Sequence, residues 1–172
     1  MSTPILAGVG IAAMLCLSGC LGASAGGERD GSTTSVVRAD ELIRTWRWKH
    51  RILLVWSDHE ADLVAQADLV RDRWDAWCER DLLLVLAEPE GAVVVERFVD
   101  GGPVGPSLEP SLSRAVCDRL GIDDRRADGF SAVLVGKDGG VKHRYRSIVG
   151  LDEVFSRIDA MPMRIREMQD ES

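Results

Sequence analysis

Three apolar runs, the third interrupted by Ser131, divide the chain, and each predicts a strand that is buried on both faces. The runs occupy residues 52–56, 82–87 and 130–135. An unbroken apolar run is typical of a strand covered on both sides, because every side chain then meets a layer of protein. The chain is therefore expected to form a central sheet with helices packed on both faces.

Between these runs, the apolar positions follow the period of an α-helix. In residues 62–80 they advance in steps of four and three, at Leu63, Ala67, Val70, Trp74 and Trp77. This spacing predicts a single helix whose two tryptophans both face the sheet. Residues 111–120 and 151–158 show the same period, and Gly121 is placed to end the first of them. A further helical turn is expected over residues 163–168.

Glycine and proline mark the turns. Residues 137–140 contain an Asp-Gly pair, which is a strong short-range signal for a hairpin, so residues 141–146 are expected to return antiparallel to the third strand. Residues 101–106 are expected to form a loop. Residues 93–99 fit a further strand or an extension of the second one, and residues 39–49 fit a short helix or an edge strand.

The order of these elements predicts an α/β fold of the thioredoxin-like type. Helical crossovers between the first strands imply that those strands run parallel, with helices on both faces of the sheet. The hairpin then adds one antiparallel strand. The expected core is a mixed sheet of about four to five strands.

The N-terminal residues are expected to be a signal rather than part of the fold. Residues 4–17 are apolar or small and carry no charge, and they are too few for a bilayer-spanning helix of about 20 residues. They end in Leu17-Ser18-Gly19-Cys20, which resembles the lipobox of bacterial lipoproteins. That resemblance implies cleavage before Cys20 and acylation of its thiol. An ordinary signal peptide or an uncleaved anchor is the alternative, because no Lys or Arg precedes the apolar run.

The expected organisation is a lipoprotein signal peptide at 1–19, a flexible tether rich in Gly, Ser and Thr at 20–38, and a thioredoxin-like domain at 39–172. The lipid would hold the domain outside the cytoplasm at the bacterial cell envelope. A residue other than Asp after the cysteine, here Leu21, favours the outer membrane where one exists. The expected partners are the membrane and an envelope protein. The net charge of −7 argues against nucleic acid, since phosphate binding needs a basic surface.

Several short motifs resemble one family. They are Trp48-Lys49-His50-Arg51, Gln66, Arg80-Asp81, the segment 136–142 and the segment 158–164. Together they resemble a thioredoxin- or peroxiredoxin-like domain of unknown function, found in secreted bacterial proteins and related to domains in animal extracellular sushi-repeat proteins. The resemblance covers residues 47–168. It implies a fold and an extracytoplasmic location, and it implies no known reaction or catalytic residue.

The junction after the first strand is where many secreted proteins of this architecture carry a redox pair of cysteines. Here it reads Ser57-Asp58-His59-Glu60. One interpretation is a ligand, metal or catalytic site, with His59 as a general base beside two carboxylates. The favoured interpretation is a capping box, because Ser57 and Glu60 have Ser-x-x-Glu spacing and acids stabilise a helix N-terminus. A single histidine is poor metal spacing, so no metal or cofactor is expected.

Two cysteines remain in the mature domain, Cys78 and Cys117, and neither belongs to a Cys-x-x-Cys motif. Cys78 is expected near the C-terminal end of a helix, where the dipole disfavours a thiolate, and Cys117 is expected in the core. A disulfide between them is disfavoured, because their helices should lie on opposite faces of the sheet. Thioredoxin-like redox enzymes usually place a cis-proline before the third strand, and Gly129-Phe130 stands there instead.

These observations predict a lipid-anchored envelope protein whose thioredoxin-like domain is redox-inactive and serves as a binding or interaction module. The alternative is an atypical thiol oxidoreductase or peroxidase that uses Cys78 or Cys117. A third hypothesis places a metal or hydrolytic site around His59. The basic strand at residues 142–146 is expected to be a solvated edge, with binding of an anionic partner as its alternative.

Overall fold

The computed structural model describes residues 31–122 and 129–170, so the signal segment, Cys20 and most of the expected tether lie outside the described residues. The helices in the described part are α1 (Gly31–Trp46), α2 (Glu60–Asp72), α3 (Trp74–Glu79), α4 (Pro110–Leu120), α5 (Leu151–Asp159) and α6 (Pro162–Asp170). The strands there are β1 (Arg51–Ser57), β2 (Leu82–Glu88), β3 (Gly91–Val95), β4 (Arg97–Val99), β5 (Gly102–Val104), β6 (Ser107–Leu108), β7 (Phe130–Val135) and β8 (Val141–Tyr145). None of these helices is long and apolar enough to cross a membrane.

Six strands form one mixed sheet in the order β6-β3-β2-β1-β7-β8. Strands β1 and β2 are parallel, whereas β7 lies antiparallel to β1 on its other side and β8 returns antiparallel to β7. The order β2-β1-β7-β8, with helices in the β1–β2 and β2–β7 connections and after β8, is the thioredoxin-like arrangement and confirms the predicted fold class. The sheet is wider than expected, because β3 and β6 extend it beyond β2.

Helices cover both faces of the sheet, as the unbroken apolar strands predict. Leu53 and Val55 of β1 pack into a cluster with α2, α3 and α5, while Ile52, Leu54 and Trp56 pack into a second cluster with α1 and α4. All seven residues of β1 are buried. Both clusters lie within residues 39–158, so this part of the chain contains the whole described core.

The single helix predicted for residues 62–80 is divided in two. Arg73, at the non-helical angles φ −127° and ψ 32°, ends α2 and precedes α3. Trp77 is completely buried in the cluster beneath α2 and α3. Trp74 is only partly buried, and its ring meets Phe98 edge-on at 5.2 Å. The prediction that both tryptophans face the core therefore holds fully for Trp77 and in part for Trp74.

A long helix occupies the place of the C-terminal part of the predicted tether. Helix α1 begins at Gly31, so residues 31–38 are helical and not part of a tether. Of the two alternatives for residues 39–49, the helix is correct as far as Trp46 and the edge strand is wrong. Its buried residues Ser35, Ala39 and Trp46 lie on one side of the helix. That side packs on α4, where Ser35 Oγ bonds to Ser111 Oγ at 2.9 Å. The domain in the structure thus begins at least eight residues before the predicted boundary.

Two of the remaining turns follow their sequence signals, and two other segments differ from expectation. Gly121 ends α4 with a left-handed φ of 92°, and the turn after β7 leads to an antiparallel β8 as predicted. The turn expected after Pro162 is a full helix, α6. Residues 101–106, expected to be a loop, instead include β5, which pairs with β4. Residues 93–99 contain the end of β3 and all of β4. Residues 123–128 lie outside the described part of the chain.

Gln66 ties α2 to the segment that precedes α5. The side chain is fully buried. Its amide nitrogen donates to the carbonyl oxygen of Val149 at 3.1 Å, and its amide oxygen accepts from the N–H of Val149 at 2.9 Å. The carboxamide therefore pairs with one residue's backbone as a neighbouring strand would, which satisfies two buried polar groups.

Candidate functional site

The predicted ligand-site residues lie at the carboxyl end of β1, and Ser57 is the most enclosed of them. Ser57 is still part of the sheet, opposite Phe130, and its side chain is fully buried. The hydroxyl oxygen lies 2.6 Å from the carbonyl oxygen of Gly129 and 3.0 Å from a carboxylate oxygen of Asp62. It also accepts the backbone N–H of His59 at 3.1 Å. The hydroxyl thus fastens this junction internally and is not presented to solvent as a nucleophile.

The capping box predicted for Ser57 and Glu60 is wrong. Helix α2 begins at Glu60, and the N-cap position is His59, whose side chain makes no capping bond. Glu60 therefore occupies the first helical position and not the third, where a capping box requires it. The sheet pairing of Ser57 with Phe130 keeps Ser57 extended, so the helix starts later than the pattern indicates. Glu60 and Asp62 still place negative charge in the first turn.

His59 and Asp58 are the exposed members of the junction. Their side chains are 71% and 48% exposed, and His59 Nε2 lies 3.7 Å from Asp58 Oδ1. No group of three or more ligating side chains that fits a metal ion occurs within residues 31–122 and 129–170. In the described residues, the hypothesis of a metal site at His59 is therefore supported by one histidine and one nearby carboxylate only.

The surface around this junction is acidic. The pKa of Glu88, at the end of the neighbouring strand β2, is raised by burial and further by the carboxylates of Glu90 and Glu60. These acids lie close enough to repel one another. A thiolate placed here would meet the same repulsion, which is the opposite of the cationic surroundings that activate a cysteine.

Gly129 precedes β7, at the position where thioredoxin-like redox enzymes usually have a cis-proline. Its φ is +69°, which proline cannot adopt because its ring fixes φ near −65°. The Gly129 carbonyl oxygen receives both the Ser57 hydroxyl and the backbone N–H of Asp58, the latter at 3.2 Å. A Cβ here would lie 2.8 Å from Asp58 Oδ1, so any side chain would require the Asp58 carboxylate to move. The backbone itself therefore differs from that of a thioredoxin-like redox site.

The two cysteines lie on different faces of the sheet and are not joined by a disulfide. Cys117 is buried in the cluster with α1 and α4, as predicted. Cys78 is exposed in α3, on the other face. Its pKa is raised, first by burial of the sulfur and then by the negative charge of Asp75. Neither thiol lies at the β1–α2 junction.

At the opposite end of the sheet, charged side chains form a buried network that sequence reasoning missed. Arg51 is 1% exposed and donates to Glu167 Oε2 and to the Arg80 carbonyl oxygen, both at 2.9 Å. Lys137, 10% exposed, lies 2.7 Å from Glu167 Oε1 and 2.7 Å from Asp81 Oδ2. Burial alone would raise the pKa of Glu167, but hydrogen bonds from Lys137 and Arg51 bring it below its ordinary value.

A second set of ion pairs extends this network across α3, α5 and α6. Arg164 is 2% exposed and lies 2.7 Å from Glu79. Arg80 makes a two-bond contact with Asp159, at 3.0 and 2.7 Å. The Arg80 guanidinium also stacks 4.5 Å above the Phe155 ring. Arg51, Arg80-Asp81, Lys137, Asp159 and Arg164 all come from the motifs that carried the family resemblance, so those motifs define one structural network rather than scattered surface positions.

Two cavities border this end of the molecule. One of about 360 Å³ is lined by Arg51, Lys137, Lys142 and the segment 160–163. Each of its cations already has an acidic partner, including Lys142, which lies 2.7 Å from Asp138. The other, of about 510 Å³, is lined mostly by apolar side chains and has His50 and Cys78 on its wall. Cys78 and His50 thus share the larger cavity, but no hydrogen bond joins them in the described residues, and burial and Asp75 raise the pKa of Cys78.

Comparison with known protein families identifies the family of this chain. Residues 42–167 match the family described as "Domain of unknown function (DUF4174)", and the chain belongs to that family. This confirms the expected domain of unknown function, while its secretion and its relation to sushi-repeat proteins remain expectations. The comparison with curated proteins found no match.

Solved structures similar to the chain include three proteins from Plasmodium species. The reduced 2-Cys peroxiredoxin of Plasmodium vivax is 18% identical, with a TM-score of 0.44, covering 72% of this chain and 71% of that one. The mitochondrial 2-Cys peroxiredoxin of Plasmodium falciparum is 11% identical, with a TM-score of 0.44 and coverage of 67% and 77%. Thioredoxin peroxidase I of Plasmodium yoelii is 17% identical, with a TM-score of 0.44 and coverage of 72% and 79%.

Proposed function

We propose that this protein is a binding or interaction module of the bacterial cell envelope, anchored by lipid on Cys20, whose thioredoxin-like domain performs no thiol chemistry. The observation that carries the proposal is the closed β1–α2 junction. Its buried hydroxyl, on Ser57, is bonded to the backbone on both sides, and Gly129 faces it with a backbone conformation closed to proline. A redox site needs a thiolate at such a junction, and the chain supplies none there.

The alternative, an atypical thiol oxidoreductase or peroxidase, rests on Cys78 because that thiol is exposed. Its position counts against the alternative. The pKa of Cys78 is raised rather than lowered, and the nearest charge that acts on it is the carboxylate of Asp75. A reactive cysteine needs the reverse surroundings, a cation or a helix N-terminus that stabilises the thiolate.

Activity of the purified domain tests the proposal directly. Residues 21–172 are assayed for insulin reduction and for peroxide consumption, with thioredoxin as the positive control. We expect turnover no higher than buffer. Turnover well above buffer that disappears in Cys78→Ser or Cys117→Ser would establish the enzyme in place of the binding module.

Thiol labelling gives a second, independent reading. In the native domain one thiol, Cys78, should react with a disulfide reagent, and slowly, because its raised pKa leaves little thiolate at neutral pH. Cys117 should react only after unfolding in urea, since it is 1% exposed. Rapid reaction of Cys78 at pH 6 to 7 would instead indicate an activated nucleophile.

The proposed anchor is tested on protein isolated from its native membrane. Mass spectrometry of the N-terminus should show a mature chain that starts at Cys20 and carries acyl groups. Cys20→Ala should remain unprocessed. Capture of partners from solubilised membranes, with Ser57→Ala as a matched variant of the buried junction, then identifies what the module binds. A mature chain that starts elsewhere would remove the lipid from the proposal.

A further inference from the structure

The turn between α1 and β1 presents a tryptophan to solvent on an unusual backbone. Trp48 is 61% exposed and has φ 68°, in the left-handed region that bulky residues rarely occupy. Its backbone N–H donates to the Lys137 carbonyl oxygen at 2.7 Å, and this bond joins the α1–β1 turn to the β7–β8 turn. The backbone is thus held in a strained form that keeps an indole ring outside the core, and such strain concentrates at functional positions.

The tryptophan stands among basic residues. Arg44, Arg47 and Lys49 are exposed and form no ion pair within the described parts of the chain. The Arg47 guanidinium lies 5.3 Å from the centre of the Trp48 ring. From Arg44 to Ser57 the sequence contains no acidic residue. This tip, defined as residues 44–50, is therefore a basic and aromatic surface on a protein of net charge −7.

The acids near the tip cancel only part of its charge. Glu41, exposed and without an ion pair in the described residues, lies on α1 one turn before Arg44. Asp138 and Asp81, in and beside the adjoining turns, lie 2.7 Å from Lys142 and Lys137 respectively. Glu96, an exposed acid without an ion-pair partner in the described residues, follows β3 and lines the same cavity as Trp46 and His50 of the tip. The acidic group of Glu60, Glu88 and Glu90 lies at the opposite end of the sheet. The molecule consequently has a basic end and an acidic end.

We infer that the tip is a docking surface for an anionic membrane, with Trp48 inserted at the headgroup level and Arg44, Arg47 and Lys49 bound to lipid phosphates. Tryptophan favours the membrane interface because its ring is apolar and its N–H is polar. Basic residues beside it add attraction to anionic lipid that falls off within a Debye length, about 8 Å at physiological salt. The acidic end, across the sheet, lies beyond that range and orients the domain tip-first.

A membrane fits this surface better than a protein partner does. The tip is the end of α1 and the turn that follows it, with Trp48 61% exposed, whereas a tryptophan at the centre of a protein interface usually fills a well-packed pocket. The inference rests on the proposed envelope location, because a lipidated Cys20 would already hold the domain at a membrane. It adds a second contact, which would fix the orientation of a domain that the acyl groups on Cys20 already hold at the membrane.

Vesicle binding by the unacylated fragment 21–172 tests the surface alone. This fragment contains both apolar clusters and therefore the whole described core. We expect it to bind phosphatidylglycerol vesicles, to bind phosphatidylcholine vesicles weakly, and to be released by high salt. Arg47→Gln and Lys49→Gln should each lower the partition constant about fivefold, the value expected for one basic charge at an anionic surface.

Two variants make the result specific. Arg146→Gln removes an exposed arginine that follows the end of β8 farther from the tip. This variant should bind the vesicles as wild type does. Trp48→Gly removes the ring and relieves the left-handed backbone, so it should fold at least as stably and yet lose binding. Equal binding to both vesicle types, equal loss in Arg146→Gln, or no binding at all would overturn the inference. Because the fragment carries no lipid, none of these outcomes depends on whether Cys20 is acylated.

Discussion

Arg51 Nη2 and Glu167 Oε2 lie 2.9 Å apart and join the first residue of β1 to the last described helix, 116 positions along the chain. The arginine is 1% exposed and the glutamate 25% exposed. The pair therefore closes the domain from its first strand to its C-terminal helix. Lys137 shares the same carboxylate, so one anion neutralises two buried cations.

Removal of this carboxylate should destabilise the domain strongly. Glu167→Gln leaves Arg51 buried without its anionic partner, and loss of one member of a fully buried pair costs about 3–5 kcal/mol. Because Glu167 is partly exposed and water can reach it, we expect the lower value of roughly 2–3 kcal/mol. Urea denaturation at neutral pH measures it. Glu153→Gln, which removes an exposed partner of Arg157 on α5, is the matched control and should cost about 0.3–0.5 kcal/mol. Similar midpoints for the two variants would contradict a structural role for the network.

The same carboxylate makes stability depend on pH. The pKa of Glu167 is below its ordinary 4.5 in the folded protein, so the folded state favours the charged form. Its ion pairs then add stability above pH 4.5, and this contribution decreases as the pH falls from 4.5 through the lower pKa of the folded state. The free energies of unfolding of wild type and Glu167→Gln should therefore differ most near neutral pH and converge in acid. A difference that stays constant from pH 7 to pH 3 would show that the carboxylate acts by packing alone.

The two helix tryptophans should differ in their contribution to stability. Trp77→Ala removes a fully buried ring and should cost about 3–5 kcal/mol through lost burial and the cavity that remains. Trp74→Ala should cost less, because Trp74 is partly exposed and packs mainly on Phe98. Thermal or urea unfolding of both variants measures the difference. Equal losses would mean that α2 and α3 form one continuous helix in solution and that Arg73 does not divide them.

The sequence predicts the sheet well because its signals are local. Three apolar runs identify β1, β2 and β7, and the Asp-Gly turn identifies β8. The class of fold follows from their order and from the crossover rules. Helix α1 was missed at its start because residues 31–38 have the polar, small composition of a linker. The spacing of Ser35, Ala39, Leu42 and Trp46, in steps of four, three and four, was the available signal.

The ionic network was not predictable from spacing, because it depends on which segments the fold brings together. Arg51 meets Glu167, and Lys137 meets Asp81, which lies 56 positions away. A charged residue beside a turn or in a helix is normally solvated, and no local pattern distinguishes the buried cases. The capping box failed for a related reason. Its residue types and spacing were correct, but the pairing of Ser57 with Phe130 across the sheet determined where the helix begins.

The last prediction concerns Ser57, which was expected to cap a helix and instead forms buried hydrogen bonds within the β1–α2 junction. Ser57→Ala removes the hydroxyl that bonds to the Gly129 carbonyl oxygen at 2.6 Å and accepts the His59 N–H at 3.1 Å. An unsatisfied buried polar group costs about 1–3 kcal/mol, so we expect a loss in that range. Ser156→Ala, which removes an exposed hydroxyl bonded within α5, is the control and should change stability by less than about 0.5 kcal/mol. Hydrogen exchange locates the effect: faster exchange of the Asp58 and His59 amides, with the β1 interior unchanged, is the expected pattern. A Ser57→Ala variant as stable as wild type would show that the hydroxyl is not needed to close the junction, and the junction would again become a candidate for chemistry.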